Sequence, residues 1–483
     1  MSSIKTQDTI VKGVIWSAIE KFSVQGIQFI TSLVIARLIL PKEFGLIAMI
    51  QIFLSIAQVF TDSGFSNALI QKQERTEKDF STVFIFNFIV SIITYIILFY
   101  VSPLIANFYE EPSLTLIIRW TGLTIIFSSL FIIQQTRLTI ALNFKKQARV
   151  SIIAALISGF AGIWLAYNNY GVWALVVQTL TYNIILAILF WIITKWYPKL
   201  VFSWVSFKQL FSFGSKLLVS TLLHSIYLNL YSLVIGKYYS ATNVGYYNRM
   251  ALIGQFPSNT IMTIVTKVIY PIQCEIQDNI EKLNQFFTQY LRMSMYIIFP
   301  LMIGLGVLAK PLVILILTDK WLPAVDYLQI LCLAYMWSPV MIINNNILNV
   351  RGRSDLFLKA EIIKKAIALI ILFTTLQFSV YYLCWGLVLY HLLDIIIIIH
   401  FTKQVIPTSY FGQLKQIIPF FALALSMGGV VYLSIILIDN MLLKLIIGSL
   451  VGVVYYFLVS QIFKLNELNT ILSILQKWLP QKK

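Results

Sequence analysis

Runs of about 20 apolar residues recur along the whole length of this 483-residue chain. Each run is long enough to cross a hydrocarbon core roughly 30 Å thick as an α-helix. The runs are continuously apolar and do not alternate, which excludes a transmembrane β-barrel. Charged residues make up only 11% of the chain, against about 25% in soluble globular proteins. The sequence therefore predicts an all-α, polytopic membrane protein.

The apolar runs predict about fourteen transmembrane helices. The ninth is overlong and contains Pro311, which predicts a kink or an early end. The first is too long for a cleavable signal peptide and lacks a small-residue cleavage site. The connections are short, and none approaches the size of a soluble domain. The predicted spans are 13–40, 44–65, 80–102, 114–136, 150–167, 172–194, 213–236, 248–270, 290–317, 324–348, 360–378, 381–402, 416–438 and 442–463.

The chain has a net charge of +17, and its Lys and Arg residues concentrate in alternate loops. This distribution indicates membrane orientation rather than nucleic-acid binding. Cytoplasmic loops are enriched in Lys and Arg, so both termini are predicted to be cytoplasmic, in agreement with an even number of spans. The basic residues of the predicted cytoplasmic side are Lys72, Arg75, Lys78, Arg137, Lys145, Lys146, Arg149, Lys195, Lys199, Lys208, Arg351, Arg353, Lys359, Lys403, Lys415, Lys477, Lys482 and Lys483.

Two short segments are repeated in order along the chain. Residues 32–35 (Ser-Leu-Val-Ile) return unchanged at 232–235, and residues 173–176 (Trp-Ala-Leu-Val) are echoed at 385–388 (Trp-Gly-Leu-Val). The repeats predict a duplicated six-helix unit whose copies enter the membrane in the same direction. We predict an N-terminal lobe at 1–200, a second lobe at 201–405, and two further helices with a cytoplasmic tail at 406–483.

Ionisable residues inside the predicted spans are the best candidates for function, because each costs about 2.5–3.5 kcal/mol at a helix centre. Cations outnumber anions and occur in both lobes, which predicts a wet, electropositive cavity between them that attracts an anion such as phosphate. Arg119, Lys216 and Arg249 lie near predicted helix ends and could instead extend to the interface. The candidate cavity cations are Lys21, Lys267, Arg249, Arg37, Arg119 and Lys216.

The intramembrane acidic residues leave alternatives open. Glu20 is a candidate for ion coupling or simply neutralises a neighbouring cation. His391 and Asp394 share a helix face at a spacing of three, so they form either a proton or sodium site or a buried polar contact between helices. The chain has no Walker A sequence, metal-binding motif or nucleophile elbow, and its three cysteines lack metal or disulfide spacing. We therefore expect no catalytic residue, bound metal or cofactor.

Several short segments resemble, in order and over nearly the whole chain, the bacterial polysaccharide flippases. That family comprises the O-antigen, capsule and exopolysaccharide exporters, similar to the colanic-acid exporter type, within the multidrug/oligosaccharidyl-lipid/polysaccharide exporter superfamily. The matching segments are Lys12-Gly13 with Trp16-Ser17, Ala36-Arg37-Leu38, Pro41-x-x-Phe44-Gly45-Leu46, Asp62-x-Gly64-Phe65-x-x-Ala68-Leu69-Ile70-Gln71, Gly245-Tyr246-Tyr247-Asn248-Arg249, Lys320-Trp321-Leu322-Pro323-Ala324 and Gly352-Arg353-x-Asp355.

The resemblance implies two six-helix lobes facing each other in a V, followed by two further helices. It implies translocation of undecaprenyl-diphosphate-linked oligosaccharide across the bacterial inner membrane by alternating access, beside a polysaccharide polymerase, in lipopolysaccharide or exopolysaccharide biosynthesis. In the related lipid II flippase, cations on the first and eighth helices line the cavity, and Lys21 and Lys267 stand in comparable helices here.

Two other functions compete with this interpretation. A cation-coupled multidrug antiporter of the same superfamily would need acidic residues in its cavity, whereas basic residues predominate in these spans. A membrane glycan polymerase or ligase commonly presents a large periplasmic loop, and no predicted external loop is long enough. The residues therefore favour a transporter of an anionic, lipid-linked substrate.

Overall fold

The structure is a computed structural model that describes residues 2–62 and 64–478, with side chains described over 15–62, 64–212, 214–215 and 217–473. Within those residues the chain is helical throughout, and no strand occurs. It divides into two compact units, unit 1 (Met1–Gly245) and unit 2 (Tyr246–Lys483). The division falls inside one helix and differs from the predicted lobe boundary at residue 200, which stays a prediction.

Unit 1 is built from long helices packed in pairs. The first helix packs along the sixth, the fourth along the fifth, and the second along the eighth. The helices of this unit are α1 (Ser2–Leu38), α2 (Pro41–Asp62), α3 (Phe65–Gln71), α4 (Glu77–Tyr109), α5 (Leu114–Ile140), α6 (Phe144–Tyr167), α7 (Trp173–Thr194), α8 (Trp204–Tyr238) and the first residues of α9 (Ala241–Glu275).

Unit 2 contains the rest of α9 and nine further α-helices. Its main packing pairs are α10 with α16, α16 with α17, α12 with α15, and α14 with α15. The helices are α10 (Ile280–Val307), α11 (Ala309–Leu317), a 3₁₀ helix (Asp319–Ala324), α12 (Val325–Tyr335), α13 (Ser338–Val350), α14 (Ser354–Thr375), α15 (Val380–Thr402), α16 (Tyr410–Ile435), α17 (Met441–Ile462) and α18 (Asn466–Trp478).

Each of the fourteen predicted spans is helical over most of its length, and eleven segments in the described part of the chain are long and apolar enough to cross a membrane. The chain is thus a multi-pass membrane protein, although the count of fourteen is not confirmed. Three helices at predicted spans, α1, α9 and α14, fall outside the eleven. They carry the intramembrane lysines Lys21, Lys267 and Lys364.

Prolines divide two of the predicted spans. The ninth breaks at Leu308, between α10 and α11, and Pro311 lies in the first turn of α11. The expected early end is confirmed. The reason is that proline fits the first turn of a helix but disrupts the interior of one that continues from upstream. The tenth span is also divided, into α12 and α13, with Pro339 as the second residue of α13.

The sequence repeat coincides with a repeat in helix order. The Ser-Leu-Val-Ile segments at 32–35 and 232–235 lie three residues before the ends of α1 and α8, and α2 and α9 then begin at Pro41 and Ala241. The first turns of α2 and α9 cross at two glycines, in a contact we call the glycine crossing. A Cβ atom at Gly45 would overlap the carbonyl group of Ala241, and one at Gly245 would overlap that of Pro41. Only glycine permits this backbone approach.

Gly64 and the short helix α3 that follows it pack against α8. Gly64 has a φ of 72°, and a Cβ there would lie 2.6 Å from the carbonyl oxygen of Gly214. The turn directs Phe65 and Leu69 into the core of unit 1, where both are fully buried. Glycine is required at residue 64 for two reasons, its backbone conformation and its contact.

Candidate functional site

One face of α1 is polar and exposed along about three turns. Ser17, Lys21, Gln25 and Gln28 follow one another at spacings of four, four and three residues, which places them on one side of a helix. All four are exposed. The helix packs on α6, where Thr31 lies against Gly159. We call these four residues the α1 stripe.

A second stripe with the same spacing runs along α9 in unit 2. It consists of Asn259, Thr263, Lys267 and Tyr270, and all four are exposed. The Thr263 hydroxyl donates a hydrogen bond to the backbone carbonyl of Asn259, so its proton already has an acceptor within the helix. Lys267 therefore supplies the charge of this α9 stripe.

An exposed lysine and amides within a predicted span are unfavourable against acyl chains. The two stripes therefore indicate surfaces that face water or a polar ligand. Each stripe presents one primary ammonium, which can donate up to three hydrogen bonds and suits a phosphate group as a point charge. The structure thus provides one cationic surface on each unit.

Two of the other predicted cavity cations are engaged within their own units. The Arg119 guanidinium lies 4.1 Å from the centre of the Phe99 ring, and its Nε donates to the Ser102 hydroxyl at 3.2 Å. Arg249 is only 6% exposed and lies 5.8 Å from the Trp321 ring. Both arginines therefore contribute to packing between helices.

Of the remaining candidates, Arg37 is exposed, one residue before the end of α1. The side chain of Lys216 lies outside the described residues. Glu20 is half-buried and accepts a hydrogen bond of 2.7 Å from the Ser151 hydroxyl on α6. Its carboxylate is thus directed toward α6, and its two predicted roles stay predictions.

His391 and Asp394 lie on one face of α15, yet they contact different neighbours. The imidazole Nδ1 of His391 lies 3.4 Å from the Met341 sulfur. The carboxylate of Asp394 lies 3.2 Å from the ammonium of Lys364 on α14. The sequence does not reveal this pair, because the two residues are on separate helices.

Two segments that carry the family resemblance meet in unit 2. The Tyr246 hydroxyl donates to the backbone carbonyl of Lys320 at 3.1 Å, next to the contact of Arg249 with Trp321. The first turns of α9 are thereby attached to the 3₁₀ helix. These residues position α9, which bears the second stripe.

An apolar groove of about 570 Å³ runs along unit 2. It is lined by α10, α11, α16 and α17, including Pro300, Gly304 and Gly452. Gly448 and Gly452 form a G-x-x-x-G pair, which is typical of either close packing between helices of one chain or a dimer face. A Cβ at Gly448 would lie 2.7 Å from the Leu308 side chain, so this glycine packs inside the unit.

A protein-family model described as "Polysaccharide biosynthesis protein" matches residues 34–326, more than half of the chain. The teichuronic acid biosynthesis protein TuaB of Bacillus subtilis (strain 168) is 27% identical over 359 residues, 74% of this chain and 74% of that protein. The lipopolysaccharide biosynthesis protein WzxC of Escherichia coli (strain K12) is 26% identical over 370 residues, 74% of this chain and 73% of that protein.

The fold is similar to that of the lipid II flippase MurJ in an inward closed conformation. The TM-score is 0.76 at 17% sequence identity, and the match covers 93% of this chain and 98% of that one. At this identity the likeness establishes the fold, and the function has to be argued from the chain's own residues.

Proposed function

Because the chain belongs to the polysaccharide biosynthesis protein family, we propose that it is a lipid-linked oligosaccharide flippase. It translocates undecaprenyl-diphosphate-linked polysaccharide repeat units across the inner membrane by alternating access. The observation that carries the proposal is the pair of exposed, lysine-bearing polar stripes on α1 and α9. Such stripes are costly in a membrane protein unless a polar substrate or water uses them.

The substrate explains why polar and apolar surfaces occur together. A glycan and a diphosphate cannot cross about 30 Å of hydrocarbon unaided. A prenyl chain, by contrast, is apolar and dissolves in the hydrocarbon core. In our proposal Lys21 and Lys267 contact the diphosphate during transport, and the stripe hydroxyls and amides contact sugar hydroxyls. The prenyl chain stays in the acyl region, for which the apolar groove of unit 2 is a suitable surface.

The orientation, the location and the partners belong to the same proposal. Basic residues in alternate loops support cytoplasmic termini. We place the protein in the bacterial inner membrane, because undecaprenyl-linked units are exported across that membrane. Its proposed partner there is a polysaccharide polymerase. No cofactor is expected, and coupling to sodium or protons stays a prediction.

The chain's own acidic residues do not favour the multidrug antiporter. An antiporter of that class needs an available intramembrane carboxylate for a cationic substrate. Glu20 bonds to Ser151, and Asp394 is paired with Lys364. The exposed charges of the two stripes are instead cationic, which suits an anionic head group.

A double substitution tests the role of the two stripes. We expect Lys21→Ala with Lys267→Ala to reduce translocation at least tenfold at normal protein level, because each charged hydrogen bond contributes about 1.5–3 kcal/mol. The measurement is the amount of undecaprenyl-linked glycan in each leaflet of cells that express the variant in a gene-deletion background. Lys282→Ala, an exposed lysine in the first turn of α10, is the matched control.

Deletion of the gene should leave the lipid-linked glycan in the cytoplasmic leaflet. Normal glycan distribution together with loss of drug resistance would instead support an antiporter. Wild-type translocation by the double variant would show that the two lysines do not hold the diphosphate.

A further inference from the structure

The most deeply buried lysine among the described side chains lies in the middle of α14. Lys364 is 2% exposed, and its nearest acidic residue on another helix, Asp394 of α15, is 4% exposed. Both are in unit 2, ten and fourteen residues after the starts of their helices. A buried ammonium or carboxylate is retained in such a place only when it is well compensated.

The Lys364 ammonium is surrounded by three oxygen atoms from three helices. It donates to Glu361 Oε1 at 2.8 Å and to Asn345 Oδ1 of α13 at 3.4 Å, and it lies 3.2 Å from Asp394 Oδ1. The last contact is ionic rather than a well-directed hydrogen bond, since Asp394 Oδ1 has no bond of good geometry. Two hydrogen-bond acceptors and one ionic contact therefore surround the ammonium group.

The charges of the cluster balance without any additional ion. The second lysine, Lys365, lies 3.8 Å from Glu361 Oε2, so two carboxylates face two ammonium groups. His391, one turn from Asp394, contacts Met341 instead. The Lys364 ammonium therefore already lies where a cation bound to Asp394 Oδ1, Glu361 Oε1 and Asn345 Oδ1 would lie.

We propose that Lys364 is a tethered counter-cation, whose ammonium fills a monovalent-cation site formed by Glu361, Asn345 and Asp394. Oxygen ligands of this kind suit a hard monovalent cation as well as an ammonium. The native protein consequently needs no free sodium ion at Asp394. Removal of the lysine side chain creates a site that takes up sodium or a small alkylammonium ion. This inference is independent of the proposed flippase function, because it concerns ion binding alone.

The test measures thermal unfolding of the purified full-length protein in sodium chloride, ethylammonium chloride and N-methyl-D-glucamine chloride at equal concentration. We expect the native protein to unfold at the same temperature in all three salts. Lys364→Ala should be stabilised by sodium or ethylammonium, by roughly 2 °C or more, because these ions bind only the folded variant. The bulky glucamine ion should have no effect.

Two control variants separate ion binding from a merely structural role. Lys365→Ala, at the next residue of the same helix, should gain no such salt dependence. Lys364→Ala combined with Asp394→Asn should lose it again, because the attracting carboxylate is gone. Sodium-specific stabilisation of the native protein would overturn the proposal, and so would equal unfolding of Lys364→Ala in all three salts.

A further double variant keeps the proposal testable if Lys364→Ala does not fold. Lys364→Met with Asp394→Asn removes both charges of the buried pair. Recovery of folded protein in this variant would support the proposal, because the defect then comes from an uncompensated carboxylate. A double variant as unstable as the single one would contradict it.

Discussion

The glycine crossing predicts a large effect from one added methyl group. In Gly45→Ala the new Cβ would overlap the Ala241 carbonyl and lie 3.0 Å from the backbone nitrogen of Gly245, where ordinary contact begins near 3.4 Å. The neighbouring atoms are backbone, which cannot rotate away as a side chain can. The first turns of α2 and α9 must therefore move apart.

The magnitude follows from two opposing contributions. Overpacking of a close contact costs about 1–3 kcal/mol, whereas replacing glycine by alanine inside a helix contributes about 1 kcal/mol of stability. Gly26→Ala on α1 is the matched control, since nothing lies within 4 Å of its added methyl group. We expect Gly26→Ala to be neutral or stabilising, and Gly45→Ala to be less stable than it by about 1–3 kcal/mol.

The measurement is thermal and denaturant unfolding in detergent, followed by far-UV circular dichroism. Gly45→Ala combined with Gly245→Ala should cost less than the sum of the single changes, because both methyl groups separate the same pair of helices. Equal stability of Gly45→Ala and Gly26→Ala would refute the argument, since the steric cost would then be absent.

Two further substitutions test an ion pair and a glycine with a positive φ. Arg292→Ala removes the 2.6 Å ion pair with Glu467 and the 2.7 Å hydrogen bond to Gln416. We expect the free energy of unfolding to fall by about 1 kcal/mol and α18 to be cleaved faster by protease. An unchanged cleavage rate would contradict a stabilising role of this contact. Gly64→Ala should cost about 1–2 kcal/mol for its positive φ and more for its contact with α8, whereas Gly352→Ala, with a φ of 66° and nothing within 4 Å, should show the conformational cost alone.

Helix positions and the repeat were accessible from local patterns. Eleven segments of the described chain are long and apolar enough to cross a membrane whatever their neighbours are. The segments at 32–35 and 232–235 lie at equivalent places in α1 and α8. The polar face of α1 could also be read from the spacing of Lys21, Gln25 and Gln28. The side of a helix on which a residue lies depends only on its spacing from residues within a few turns, so the sequence alone is enough to identify such a face.

The partners of the intramembrane charges could not be read in this way. Asp394 was predicted to bind an ion or to make a polar contact, and the tertiary structure brings Lys364 of the preceding helix to it. Arg119 and Arg249 have the same charge as Lys21, yet packing buries Arg249 and directs Arg119 onto a ring.

The amino-acid pattern therefore determines that this chain enters a membrane as repeated helices and which faces of them are polar. Tertiary packing alone decides whether a charge on such a face meets a counter-ion, an aromatic ring or solvent. The reason is that each helix tolerates rotation and translation against its neighbours until close contacts, such as Gly45 with Ala241, select one arrangement.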